Sequence, residues 1–332
     1  MLMLVSFQAI AMAAVPVSTL IILETRQEAE WPQVMSTFSL VSAAGTVTGL
    51  IAGSGIIVYW HSPSVLPAMY LIASFIYLTA AIGAIALLPE PGRKLIRARL
   101  HNLFSYRIVE RGRHFPSYVL HVIPFGRNKG ETHAFSPTMR KYLFTTTFLM
   151  FGFQIFFVPF PVFLIDYFHA AESQIFILYL LNSALSMVTF RIAGILVRKG
   201  GIRKTISFGI FPRIAIFSLA GILPLLAAYG RVVLITAIIM YGILGALWSL
   251  ISISEVTSIT KLAVKANRGK AIGYYNSLLG VGQIGGASIS GVIAYDLGYT
   301  VDFVTAAAVV LIGAYMILRF YPENRGVPAL KT

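Results

Sequence analysis

The chain has 332 residues, of which 57% are hydrophobic and 11% charged, whereas soluble domains carry about 25% charged residues. This is the composition of an integral membrane protein. The net charge of +14 comes from cations gathered in alternate connections between apolar segments, which excludes a nucleic-acid-binding face, and the absence of cysteine excludes disulfides, thiolate metal sites and a Cys nucleophile.

Nine apolar runs, near 1–22, 33–59, 65–88, 143–165, 173–190, 205–228, 232–254, 271–295 and 299–318, each supply roughly the 20 residues that a helix needs to cross a bilayer. The short alternating segments of a β-barrel are absent, so the predicted fold is an all-α, multi-pass membrane protein. The first run, which carries Gln8, lacks the basic n-region and cleavage site of a signal peptide and reads as a retained helix. With the next two runs it forms a partial N-terminal half, 1–89, in which Gly45, Gly49 and Gly53 make a small-residue stripe.

The segment 90–142 is a basic linker with eleven Lys and Arg between Arg93 and Lys141. Within it Ile96, Leu100, Leu103, Phe104 and Ile108 recur at helical spacing, which fits an interfacial amphipathic helix or, equally, a mobile basic linker. Pro116 to Pro137 reads as irregular. The segment's four histidines, His101, His114, His121 and His133, are spaced by 13, 7 and 12 and match no helical metal pair. No metal or cofactor is expected.

A C-terminal half of six helices, 143–322, follows, with a tail from 323 to 332. The fourth of the nine runs contains Gln154 and the prolines Pro159 and Pro161 among Phe and Tyr, and ends at Asp166, expected at a solvated outer mouth. The fifth contains Asn182, and Gly194 to Lys204 then reads as a short basic loop. Arg213 follows nine residues after Lys204, about 13 Å deeper along a helix at 1.5 Å per residue. Pro212 beside it is a place where the helix can open. The seventh run carries Trp248, the eighth Asn276 and Gln283, and Asp296 and Asp302 are assigned to the last outer link.

Basic residues fall on one side: Arg26, the 90–142 linker, Arg198, Lys199, Arg203, Lys204, Lys261, Lys265, Arg268, Lys270 and the tail. Arg231 alone is assigned to the other side. By the positive-inside rule the N-terminus is outside the cell membrane and the C-terminus is cytoplasmic.

An internal repeat is visible at an offset of 237 residues: Gly45 and Gly49 map onto Gly282 and Gly286, and Ser39 and Thr46 onto Asn276 and Gln283. It pairs 1–89 with 239–320 in the same direction, as parallel repeats about an axis along the membrane normal require. Small residues one turn apart allow close helix packing in lipid.

Here the chain resembles the major facilitator superfamily of secondary transporters. The family's loop signature is met by Gly194, Lys199, Gly201, Arg203 and Lys204, while Arg198 replaces its acidic residue. The resemblance implies a conformational hinge at this loop. Arg268 to Gly273 followed by Asn276, Gly282, Gly286 and Gly291 resembles the entry into family helix 11, and Tyr295 to Tyr299 the turn before helix 12. The nine runs then correspond to family helices 4 to 12, which implies a chain truncated at its N-terminus and a complementary N-terminal fragment as a partner. The antiporter signature of helix 5 is met at Gly45, Gly49 and Gly53 but not at Leu50 and Ser54, and Val5 stands where the family's helix 4 arginine is expected.

The function implied is secondary active transport of a small solute by alternating access, with proton or sodium coupling open and membrane lipids as surroundings. The alternative is a transporter-derived scaffold or sensor; no catalytic constellation supports an enzyme. Intramembrane polar groups line such paths, which makes Arg213, Gln154, Asn182, Trp248, Asn276, Gln283 and Gln8 the candidate residues. Arg213 either attracts an anionic solute or holds a gate, or is a structural arginine that snorkels or pairs with a carboxylate such as Glu255. The amides serve the solute or interhelical packing.

Overall fold

The computed structural model describes residues 15–24, 26–59, 65–87, 135–264 and 268–320. Gln8, the possible interfacial helix, the four linker histidines and the tail lie outside them. Among the described residues there are ten α-helices, one short 3-10 helix and no strand: α1 (Val15–Glu24), α2 (Trp31–Tyr59), α3 (Val65–Leu87), α4 (Pro137–Phe157), α5 (Pro159–Phe168), α6 (Glu172–Gly200), α7 (Ile202–Ala220), α8 (Arg231–Leu262), α9 (Arg268–Leu297) and α10 (Tyr299–Phe320). Among the described residues six spans are long and apolar enough to cross a membrane, or seven if a bent pair counts as one; the nine expected for the whole chain include runs that lie partly outside them.

Local chemistry explains where the helices depart from the apolar runs. The run expected from 143 begins at Pro137, where Ser136 caps the helix by accepting a 3.2 Å hydrogen bond from the Met139 N–H, with proline at a first-turn position that needs no donor. It divides at Val158 because Pro159 has no N–H to continue the ladder; α4 and α5 still form one span. The run near 205–228 ends as α-helix at Ala220 and bends by 57° into the 3-10 helix Leu223–Tyr229. Pro224 supplies the reason, since its ring opposes the carbonyl of Ala220 four residues earlier. Pro212, by contrast, sits inside a continuous α7.

The expected loop at 194–204 is a helix junction instead. Apolar periodicity fades after Phe190, yet α6 continues to Gly200, and only Gly201 separates it from α7. Gly201 has φ of +86°, which an L side chain resists. Asp302, assigned to an outer link, is a buried residue in the first turn of α10, where the helix dipole favours an acid; Ser290 Oγ donates to its Oδ2 at 3.5 Å.

The chain divides into two compact units, residues 1–44 with 119–332, and residues 45–118. In the larger unit the most extensive packing is α6 on α8 and α9 on α4. Glycine permits both. A Cβ on Gly282 would lie 2.5 Å from the Thr147 carbonyl oxygen, one on Gly286 would meet the Phe151 carbonyl, and one on Gly245 would meet the Asn182 backbone. One buried cluster centres on Phe156, Phe160, Phe217 and Phe303, with Phe156 and Phe217 stacked at 4.0 Å. A second joins Leu23, Trp31 and Met35 to Met139, Leu143, Phe190 and Tyr275. Outward faces carry large apolar residues such as Val232, Ile284 and Val292, as a lipid-facing surface requires.

In the smaller unit the end of α2 adjoins α3, where a Cβ on Gly53 would meet Met69 Cε at 3.3 Å; Gly45 and Gly49 have open space around them. The glycine stripe expected twice thus makes close backbone contacts among the described residues only at Gly282 and Gly286.

Candidate functional site: a cavity beside a buried arginine

A cavity of about 190 Å³ lies between α1, α2, α8 and α9. Its lining follows helical spacing: Met35, Phe38 and Ser39 from α2; Trp248, Ser252, Val256 and Ile259 from α8; Ile272, Tyr275, Asn276 and Leu279 from α9. Thr19 completes it from α1. Ser39 and Asn276, the positions related by the repeat, both border this space.

Behind its α8 wall are two ionisable side chains. Arg213 is 0% exposed, and its Nη2 donates to the Leu244 carbonyl at 2.8 Å. The guanidinium carbon lies 4.4 Å from the Phe153 ring centre, 5.2 Å from Phe157 and 5.8 Å from Trp248. Each ring face offers a cation about 0.5–2 kcal/mol. Nε and Nη1 have no hydrogen-bond partner. Glu255, 2% exposed, accepts a 2.7 Å hydrogen bond at Oε2 from the Tyr275 hydroxyl. Arg213 therefore does not snorkel, and its close contacts are a carbonyl and aromatic rings, with Glu255 in Coulombic range.

The remaining candidates are placed variously. Asn182 Nδ2 donates to the Tyr241 carbonyl at 2.8 Å and ties α6 to α8. Asn276 Nδ2 donates to Ile272 of its own helix at 2.9 Å. Gln154 is half-buried next to Gly286, and Gln283 is exposed. Arg191 is exposed. Asp166 accepts a 2.6 Å hydrogen bond from the Tyr299 hydroxyl, so this acid is engaged as well as solvated.

The basic junction reaches the start of α2. A Cβ on Gly194 would lie 2.5 Å from Ser36 Oγ and 2.9 Å from the Pro32 carbonyl, and Arg198 Nη1 donates to Gln33 Oε1 at 2.9 Å. Lys199 and Lys204 are exposed, while Arg203 Nη2 donates to the Leu318 carbonyl at 3.1 Å. Nearby Arg268 pairs with Glu28 and stacks 4.5 Å over Trp31, whose indole N–H donates to the Leu23 carbonyl at 3.0 Å. Glu28 and Trp31 were not among the candidates; the signal was a run of three acids, Glu24, Glu28 and Glu30, ending at a tryptophan in a connection whose one cation is Arg26. Tyr275 was missed because its partner Glu255 is twenty residues away.

No curated protein matches the chain. The sequence profile described as Major Facilitator Superfamily matches residues 1–258. With its all-helical architecture and apolar spans, the chain belongs to the Major Facilitator Superfamily of multi-pass membrane transporters.

Proposed function

We propose that the chain is a secondary active transporter that moves a small solute by alternating access, and that the cavity between α1, α2, α8 and α9 forms part of the solute path. The observation that carries this reading is the cavity's lining. Repeat-related positions Ser39 and Asn276 border it from segments on either side of the 90–134 stretch, and Trp248 on its wall also covers Arg213. Transporters of parallel-repeat construction place their sites between such segments near the midplane.

An ionisable group in the bilayer interior costs roughly 2.5–3.5 kcal/mol on insertion scales and is retained for function by default. Arg213 has two unused donors, Nε and Nη1, a fork suited to a carboxylate or phosphate. The solute is therefore anionic, reaching Arg213 when Trp248 turns aside. Glu255, linked by Tyr275 to the cavity wall, is the group available to carry a coupling proton. The basic end faces the cytoplasm, and the contacts Arg198–Gln33 and Arg268–Glu28 close that side.

Uptake of a panel of labelled solutes into proteoliposomes tests the reading. At least one organic anion accumulates with the wild-type chain, Arg213→Lys retains part of the uptake and Arg213→Leu abolishes it. Equal uptake by Arg213→Leu overturns the anion role. Folded protein that moves no solute favours a scaffold or sensor.

A further inference from the structure

A groove of about 780 Å³, away from the solute cavity, is bordered by Arg203, Lys204, Ser207, Phe208, Phe211 and Pro212 of α7 and by Leu318 of α10. The α7 residues recur at three- and four-residue spacing, so they form one stripe along the helix. Its chemistry changes with depth. Two cations and a hydroxyl occupy the first two turns, and two phenylalanines and a proline follow. From Arg203 to Pro212 the helix rises about 13 Å, enough to pass from the headgroup region, roughly 5–7 Å thick on each side, into hydrocarbon.

Both cations border the mouth of the groove. Leu318's carbonyl anchors Arg203 Nη2 at 3.1 Å, fixing this guanidinium between α7 and α10. Lys204 is exposed, and among the described residues no hydrogen bond or ion pair engages it. Phe208 is 67% exposed and Phe211 46%, so the floor is open to a flexible chain. Basic pockets between transmembrane helices on the cytoplasmic side match anionic lipid headgroups. A symmetric contact between two copies would set the same cations against each other.

We propose that this groove binds an anionic phospholipid, its phosphate on Arg203 and Lys204 and its acyl chains along Phe208, Phe211 and Leu318. The site anchors the junction between α6 and α7 to the leaflet at the basic end. It depends on no particular transported solute.

The test is native mass spectrometry of delipidated chain titrated with dioleoyl phosphatidylglycerol or dioleoyl phosphatidylcholine. Two cations at the headgroup predict a preference for phosphatidylglycerol of roughly thirtyfold. Arg203→Gln with Lys204→Gln removes that preference, whereas Lys261→Gln with Lys270→Gln, the same charge loss elsewhere, keeps it. Phe208→Ala with Phe211→Ala weakens both lipids, and glycerophosphoglycerol without acyl chains fails to displace bound lipid. Equal binding of the two lipids overturns the proposal, as does a preference that survives loss of Arg203 and Lys204, or displacement by the chain-free headgroup. Circular dichroism of each variant verifies that it is folded.

Discussion

Trp248 touches both Arg213 and the cavity: its ring lies 5.8 Å from the guanidinium carbon, and the same indole borders the space lined by Ser39 and Asn276. The proposed route from the cavity to Arg213 therefore runs past this side chain. Trp248→Phe preserves an aromatic face and keeps initial uptake within about threefold. Trp248→Ala forfeits a cation–π contact of about 2 kcal/mol in a desolvated setting, roughly thirtyfold in an equilibrium, and lowers uptake by at least tenfold. Initial rates in proteoliposomes measure both.

Glu255→Gln keeps the shape of the side chain and an acceptor for Tyr275, but it cannot release a proton. Uptake driven by a pH gradient is lost in this variant, while solute exchange without a gradient persists. Counterflow measured beside gradient-driven uptake separates the two. Unchanged gradient-driven uptake removes Glu255 from the coupling.

Tyr275→Phe leaves the Glu255 carboxyl buried without its 2.7 Å partner. A buried acceptor left without its donor costs about 1–3 kcal/mol, so thermal unfolding in detergent occurs at a lower temperature than in wild type. A midpoint within error of wild type contradicts a stabilising role for this hydrogen bond.

The Arg268–Glu28 pair holds the basic end weakly, because Glu28 is 61% exposed and such pairs are worth about 0–1 kcal/mol. Stacking of Arg268 on Trp31 adds roughly 0.5–1 kcal/mol. Glu28→Lys consequently shifts the closed population by about two- to thirtyfold without unfolding the chain. The double swap Glu28→Lys, Arg268→Glu restores the pair but not the stacking, and recovers part of the shift.

Gly282→Leu drives a side chain into the Thr147 carbonyl and Phe151 backbone, an overpacking that costs about 1–3 kcal/mol. Gly45→Ala, with open space around it, changes stability by less than about 1 kcal/mol. Unfolding midpoints of the two variants distinguish a packed stripe from an unpacked one.

Helix positions were legible because apolar runs near 20 residues allow few alternatives in a bilayer. Breaks at Pro159 and Gly221 were less legible, since proline at 212 leaves a continuous helix whereas proline at 224 accompanies a 57° bend; tertiary packing decides between those outcomes. Residue type and depth singled out Arg213 and Trp248. The geometry that joins them depends on Phe153, Phe157 and Leu244, which are ordinary apolar residues in sequence. The amides illustrate the same limit: Asn182 and Asn276 look alike in sequence, yet one bonds across to Tyr241 and the other to its own helix beside the cavity.

Alternating access at the cavity is tested most directly by thiol accessibility, because the chain contains no cysteine and a single Ser252→Cys on the cavity wall reports alone. In vesicles of each orientation, a membrane-impermeant thiol reagent is predicted to modify Cys at 252 slowly from the basic side of the wild-type background. Adding Glu28→Lys raises that rate at least about twofold and lowers the rate from the opposite side. Identical rates from both sides in both backgrounds contradict the account.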